Sequence, residues 1–81
     1  MLLKIIKSIV STFQDIDEYY EYYSEDGCVL KKYMWEAKTF TKNDLFLKID
    51  EKDSDIENVI YFKVLHKNQI FWIPNFDTEE V

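Results

Sequence analysis

The sequence predicts an α+β fold, in which an N-terminal amphipathic helix packs on an antiparallel four- to five-stranded meander or half-open barrel. Two observations predict this fold. Apolar side chains recur at helical spacing over residues 2–16, and short β-prone runs separated by turn signals follow over residues 18–74. The chain has 81 residues, the length of one small domain, so we expect residues 1–81 to form a single unit.

The first segment predicts the helix. Its apolar residues follow the i, i+3, i+4 pattern of one helix face, and they are Leu2, Ile5, Ile6, Ile9, Val10, Phe13 and Ile16. Polar residues would cover the opposite face, namely Lys4, Lys7, Ser8, Ser11 and Gln14. The two lysines also interrupt the apolar run, which argues against a signal peptide and against a helix that spans a membrane.

A tyrosine-rich segment, residues 18–24, precedes the turn signal of Asp26 and Gly27, and together they predict a β-hairpin. The next segment, residues 28–40, fits two structures. Alternation predicts a strand with one side formed by Val29, Tyr33, Trp35 and Ala37. Helical spacing instead groups Leu30, Tyr33, Met34 and Ala37. The hairpin signal favours the strand, and the helix stays open as the alternative.

The middle of the chain predicts one short strand and one loop. A turn at residues 43–44 leads into a strand over residues 45–49, and residues 50–58 form a polar, acidic loop. A calcium-binding EF-hand loop that starts at Asp53 would need glycine at its sixth position and glutamate at its twelfth, where the chain has Asn58 and Val64. We therefore expect no calcium site there.

The clearest hairpin signal lies near the C-terminus. Residues 59–66 and 69–74 are both rich in β-branched and aromatic residues, and they flank a two-residue turn. Pro74 cannot donate a backbone hydrogen bond, so it is expected to end the last strand. We expect the tail, residues 75–81, to be loose.

Charge restricts the partners that the protein can bind. The chain has 16 acidic and 10 basic residues, a net charge of −6, and every base is lysine. Arginine makes most bidentate contacts to phosphates and bases, so its absence argues against direct nucleic-acid binding. Anionic lipid would repel the same charge. We expect a basic protein partner, with no direct nucleic-acid contact and no membrane contact.

The acidic residues cluster in two segments that we predict to bind this partner. The first, residues 15–26, contributes Asp15, Asp17, Glu18, Tyr19, Tyr20, Glu21, Tyr22, Tyr23, Glu25 and Asp26. The second contributes Asp50, Glu51, Asp53, Asp55 and Glu57. Carboxylates on one side of a strand would recur about every 6.8 Å and could imitate DNA phosphates. The alternative is a solvated hairpin edge whose charge prevents aggregation.

No set of residues predicts catalysis, a cofactor or a metal site. Cys28 and His66 are the single cysteine and histidine, and neither lies in a catalytic or zinc-binding motif. One cysteine cannot form an intrachain disulfide, which fits a reducing cytoplasm. Trp35, Phe71 and Trp72 are interface-anchor candidates, with burial in the core as the alternative. A small domain without disulfides or metals is often stabilised by a second copy, so a homodimer is a further expectation.

Small size, acidity and the lack of catalytic groups resemble phage-encoded inhibitors of the host-takeover or anti-defence type, including DNA mimics. The resemblance is one of class and depends on no motif. It implies a non-enzymatic inhibitor in the host-cell cytoplasm that occupies the nucleic-acid-binding site of a basic host protein. Two alternatives stay open: an immunity or antitoxin protein that neutralises a basic nuclease toxin, and a structural or assembly subunit.

Overall fold

The computed structural model describes the whole chain, Met1–Val81, and the protein is almost entirely β. Its strands in chain order are β1 (Leu2–Ile5), β2 (Ile9–Thr12), β3 (Tyr20–Tyr23), β4 (Val29–Lys32), β5 (Glu36–Thr39), β6 (Leu45–Asp53), β7 (Ile60–His66), β8 (Gln69–Pro74) and β9 (Thr78–Glu80). The only helical segment is a 3-10 turn of three residues, Asn75–Asp77. None of the chain forms a helix with the length and apolarity that crossing a membrane requires.

The predicted N-terminal helix is wrong, and so is the α+β class that depended on it. Residues 2–16 instead contain β1, a bend and β2. Ile9, on the predicted apolar face, is 65% exposed, whereas Leu3, outside that face, is 1% exposed. Burial alternates within each strand, on odd positions in β1 and on even positions in β2. The bend therefore moves burial from odd to even positions. The apparent helical spacing arises because apolar residues also occupy exposed strand positions, such as Leu2 and Ile9.

The main sheet has five antiparallel strands in the order β8-β7-β6-β1-β9. The predicted C-terminal hairpin is confirmed as β7 and β8. Its turn residues, Lys67 and Asn68, both have positive φ angles of 48° and 65°, as the right-handed twist of a two-residue hairpin requires. The N-terminal strand β1 lies between β6 and β9, so the beginning and the end of the chain are neighbours in this sheet.

Two predicted boundaries need correction. The strand predicted at residues 45–49 continues to Asp53, because β6 resumes pairing with β7 after a bulge between Lys48 and Asp50. The tail, residues 75–81, is not loose. After the 3-10 turn it forms β9, which pairs with β1 and completes the main sheet.

The prediction of a strand rather than a helix for residues 28–40 is correct only in part, because the segment forms two strands, β4 and β5, separated by residues 33–35. The predicted side does not form either, since Tyr33 is buried while Val29 and Trp35 are exposed. β4 pairs with β3, and β5 pairs with β2. Phe13, directly after β2, exchanges backbone hydrogen bonds of 2.9 and 2.7 Å with Trp72 in β8. This bridge fixes the β2–β5 ribbon to the edge of the main sheet.

Two groups of buried side chains form the core. The larger group lies between the main sheet and β2 and contains Leu3, Ile5, Val10, Phe46, Val64, Phe71 and Ile73. The smaller group contains Phe13, Ile16, Tyr33 and Tyr61. The three rings of this smaller group meet edge to face, with centroids 5.0 to 6.2 Å apart. Because Tyr33 directly follows β4, the smaller group anchors the β3–β4 hairpin to the body.

Candidate functional site

The β3–β4 hairpin, residues 20–32, belongs to a two-stranded sheet of its own, and we call it the arm. All of β3 is exposed, and so is β4 except for half-buried Lys32. Tyr23 is 77% exposed. The molecule measures 42 × 22 × 21 Å, an elongated shape for so short a chain. A two-stranded ribbon is only marginally stable in water, so the exposed arm is a candidate contact surface.

Cross-strand register assigns the side chains of the arm to two faces. One face carries Tyr20, Tyr22, Leu30 and Lys32, and the other carries Glu21, Tyr23, Val29 and Lys31. The Tyr20 and Tyr22 rings lie 6.0 Å apart on the first face. On the second, Glu21 is directly opposite Lys31. The faces are therefore aromatic rather than uniformly acidic.

The tip of the arm is a turn held by its own side chains. Gly27, with a φ of 85°, supplies the left-handed conformation of the turn. The Ser24 hydroxyl donates a hydrogen bond to the Asp26 carboxylate, and the Cys28 amide lies 3.4 Å from the same carboxylate oxygen. The Ser24 hydrogen bond, followed by those from Cys28, lowers the pKa of Asp26 below its ordinary value. The turn therefore favours the charged carboxylate.

The line of carboxylates considered for the first acidic segment does not form. Glu21 is the only acid of that segment within a strand, and a lysine faces it. The remaining acids divide between the loop before the arm and the tip of the arm, and they are Asp15, Asp17, Glu18, Glu25 and Asp26. Tyr19 also precedes the arm, and its ring lies 5.2 Å from Lys31 Nζ.

Lysines lie beside much of the second acidic segment. Asp50 pairs in register with Lys63 of β7, and Glu51 forms an ion pair with Lys48. Asp53, the last residue of β6, is exposed and forms no ion pair. Local pairing therefore reduces the net charge that this segment presents.

Lys52 brings the two acidic segments together at one point. Its ammonium contacts the carboxylate of Asp17, and it lies 3.7 Å from Asp55 Oδ2. The predicted sites thus meet around a lysine, which offsets part of the charge that they would present to a partner. Acids near the C-terminus are also paired: Asp77 Oδ1 lies 2.9 Å from Lys7 Nζ, without hydrogen-bond geometry, and Glu79 lies 3.5 Å from Lys4.

A cleft at the base of the arm differs from these paired acidic segments, because its carboxylates have no lysine partner. It has a volume of about 270 Å³ and is lined by Thr12, Gln14, Asp15, Glu18, Met34, Trp35 and Glu36. Its three carboxylates form no ion pair, and no lysine lines it. Met34 is 72% exposed and Trp35 is 47% exposed. Acidic and apolar groups therefore face the same space.

The chemistry of this cleft suits a lysine or arginine side chain. Carboxylates would receive the charged end, and the thioether and indole would contact the apolar stem. Lys32 Nζ already lies 5.1 Å from the centroid of the Trp35 ring, so this indole takes part in one cation–π contact within the chain. The Thr12 hydroxyl donates a hydrogen bond of 3.0 Å to the Glu36 carbonyl oxygen, which holds these two residues of the cleft together.

Two buried tyrosines form hydrogen bonds with the loop between β6 and β7, next to the base of the arm. The Tyr33 hydroxyl lies 2.9 Å from Ser54 Oγ and accepts a 3.3 Å hydrogen bond from the Asp55 amide. The Tyr61 hydroxyl donates a 3.0 Å hydrogen bond to Glu57. Burial raises the pKa of Tyr61 above its ordinary value, and the interaction with Glu57 raises it further. Glu57 is therefore partly engaged in supporting the fold.

Sequence reasoning found only part of this cleft. Asp15 and Glu18 belong to the first predicted segment, and Trp35 was an anchor candidate, but Met34 and Glu36 were not predicted as site residues. The sequence signal that could have found them is local: Met34 and Trp35 stand directly before Glu36, in the segment that fits both a strand and a helix. Phe71 and Trp72, the other anchor candidates, are buried and half-buried in the fold.

The single histidine and the single cysteine lie outside the cleft. His66 Nε2 is 2.9 Å from Asp44 Oδ2, and Cys28 is exposed beside the arm turn. No three His, Cys, Asp or Glu side chains converge in an arrangement that could hold a metal ion.

Comparisons with protein-family models, curated proteins and solved structures give no significant match to this chain.

Proposed function

We propose that this is a small acidic binding protein without catalytic activity, which inhibits a basic nucleic-acid-binding protein in the cytoplasm by occupying its nucleic-acid site. The cleft at the base of the arm carries the proposal. Three carboxylates without lysine partners lie there beside the exposed Met34 and Trp35. This combination favours a partner that offers lysine or arginine side chains.

Competition follows from the chemistry of such a partner. Proteins hold nucleic-acid phosphates mainly through arginine and lysine, and the same cations would pair with Asp15, Glu18 and Glu36 in the cleft. A cation that binds a carboxylate here is no longer free to bind a phosphate. The net charge of −6 would also speed association with a basic surface at low salt.

Capture from a cell lysate with matched variants tests the proposal. The cleft variant Glu18→Gln/Glu36→Gln and the control variant Glu79→Gln/Glu80→Gln each remove two carboxylates, so their net charges are equal. Bound proteins are identified by mass spectrometry after washes of increasing salt. We expect the wild type and the control to retain a basic nucleic-acid-binding protein that the cleft variant loses.

Two results would count against the proposal. Equal loss of the partner from both variants would assign binding to overall charge rather than to the cleft. Retention of a partner that is neither basic nor released by salt would remove the electrostatic mechanism.

A further inference from the structure

We propose that a lysine-lined cavity, formed where the end of β5 meets the turn between β7 and β8, binds a phosphate group. The cavity has a volume of about 410 Å³, a size typical of small-molecule sites. Hydrogen-bond donors from three parts of the chain line it, namely Lys38, Thr39, Thr41, Lys67 and Gln69. It shares no residue with the acidic cleft at the base of the arm.

Charge distinguishes this cavity from the others. Of the four cavities in the molecule, it is the only one in which lysines outnumber acids. Lys38 and Lys67 line it against the single carboxylate of Asp44, and neither lysine forms an ion pair within the chain. The cavity is therefore a locally positive site in a protein whose net charge is −6, and it suits an anion.

The one carboxylate of the cavity is held by the fold. Asp44 Oδ1 accepts a 3.2 Å hydrogen bond from the Leu45 amide, and Asp44 Oδ2 lies 2.9 Å from His66 Nε2. The imidazole is fixed in turn, because its ring centroid lies 5.5 Å from that of Phe40 and 4.4 Å from that of Phe46. Both oxygens of Asp44 thus have partners within the chain, which leaves the two ammonium groups available to a ligand.

One of these ammonium groups is positioned before any ligand binds. Lys38 Nζ donates a 3.3 Å hydrogen bond to Gln69 Oε1 and lies 4.9 Å from the centroid of the Phe71 ring. These contacts join β5 to β8 beside the cavity. Lys67 belongs to the tight turn between β7 and β8, where its φ angle is 48°. The short turn restricts the position of the second lysine.

The mixture of donors favours phosphate over a carboxylate. A phosphate group carries a charge of about −1.5 to −2 near neutral pH and presents several acceptor oxygens, so it can use two ammonium groups and neighbouring hydroxyls together. Lysine binds phosphate as a point charge and does not need the bidentate geometry of arginine. Phe40, the only apolar residue of the lining, would contact an organic group attached to the phosphate.

An NMR titration of the purified protein tests the site. Sodium phosphate and adenosine 5′-monophosphate are each added at constant ionic strength, with sodium chloride as the reference. We expect saturable shifts of the amide signals of residues 38–41 and 66–69. Tighter binding of the nucleotide would identify a phosphate ester as the ligand class, and equal or weaker binding would identify free phosphate. Absence of saturable shifts at these residues with both compounds would overturn the proposal.

Matched lysine variants separate the cavity from overall charge. Lys38→Gln/Lys67→Gln should raise the dissociation constant roughly tenfold or more, because both ammonium groups of the site are lost. Lys31→Gln/Lys63→Gln has the same net charge and should bind like the wild type. Equal affinity of the two variants would contradict the site. The titration needs no protein partner, so its result is independent of the proposed function.

Discussion

The Tyr33 hydroxyl lies 2.9 Å from the Ser54 hydroxyl, and this contact joins the stem of the arm to the loop between β6 and β7. Tyr33 is 1% exposed and packs against Phe13 and Tyr61. The arm therefore leaves the body from a rigid aromatic base. The same base positions Met34 and Trp35, the next two residues, at the cleft.

Removing this hydroxyl should loosen the base of the arm. Tyr33→Phe keeps the ring and loses the contacts to Ser54 and to the Asp55 amide, so we expect the free energy of unfolding to fall by about 1–2 kcal/mol. Urea unfolding measures the change. Tyr23→Phe, at an exposed position, is the matched control and should have little effect. Equal stability of the Tyr33 variant and the wild type would show that the contact is unimportant.

Tyr61 should make the protein sensitive to alkali. Its folded-state pKa is raised, so the neutral phenol contributes stability that is fully present below the unfolded pKa of about 10 and is lost as pH rises through the folded value. Tyr61→Phe should show a shallower loss of stability above about pH 10. It should also be less stable at neutral pH by about 1 kcal/mol, because the Glu57 hydrogen bond is gone.

Urea unfolding across a pH series would test the role of Tyr61, with Tyr23→Phe again as the exposed control. Identical alkaline slopes for the wild type and Tyr61→Phe would contradict it.

The tip of the arm should respond to acid. Because the folded-state pKa of Asp26 is lowered, its carboxylate contributes stability that is present above the unfolded pKa of about 3.9 and is lost as pH falls through the folded value. Ser24→Ala should move the pKa of Asp26 back towards its ordinary value, which NMR titration measures directly. Ser8→Ala, outside the arm, should leave that pKa unchanged. If Asp26 in the Ser24 variant had the wild-type titration curve, the Ser24 hydrogen bond would not be the cause of the lowered pKa.

The C-terminal strand should contribute to stability. Deleting residues 78–81 removes β9 together with the hydrogen bond of 3.2 Å from the Val81 amide to the Leu2 carbonyl. We expect a loss of about 1–3 kcal/mol in the free energy of unfolding, since several backbone hydrogen bonds and the buried Thr78 are lost. Glu79→Gln/Glu80→Gln, which keeps the strand, should lose much less. A truncated protein as stable as the full chain would support a loose tail after all.

Turn chemistry made much of the fold predictable. Asp26 with Gly27, and Lys67 with Asn68, marked the two hairpins, because Gly27 and Asn68 are residue types that accept the positive φ of tight turns. The N-terminal segment could not be assigned in the same way. Its bend at residues 6–8 contains no glycine or proline, so no local signal marked the change of phase between β1 and β2.

The candidate site was predictable only in part, since clustering in sequence does not decide which charges stay unpaired. Lys52 contacts Asp17 from 35 residues away, and this pairing depends on tertiary structure. The cleft likewise joins Asp15 and Glu18 to Glu36 across separate strands and loops. Composition therefore predicted an acidic binding protein. The surface proposed for binding could be identified only once the three-dimensional fold was known.

Displacement of nucleic acid tests the central claim most directly. A labelled oligonucleotide is bound to the basic protein that the wild type captures and the cleft variant does not, and its release is followed by fluorescence anisotropy as this protein is added. We expect the wild type and Glu79→Gln/Glu80→Gln to release the oligonucleotide, and Glu18→Gln/Glu36→Gln to require a much higher concentration. A stable complex that holds all three components, with no release, would contradict the claim that this protein occupies the nucleic-acid site.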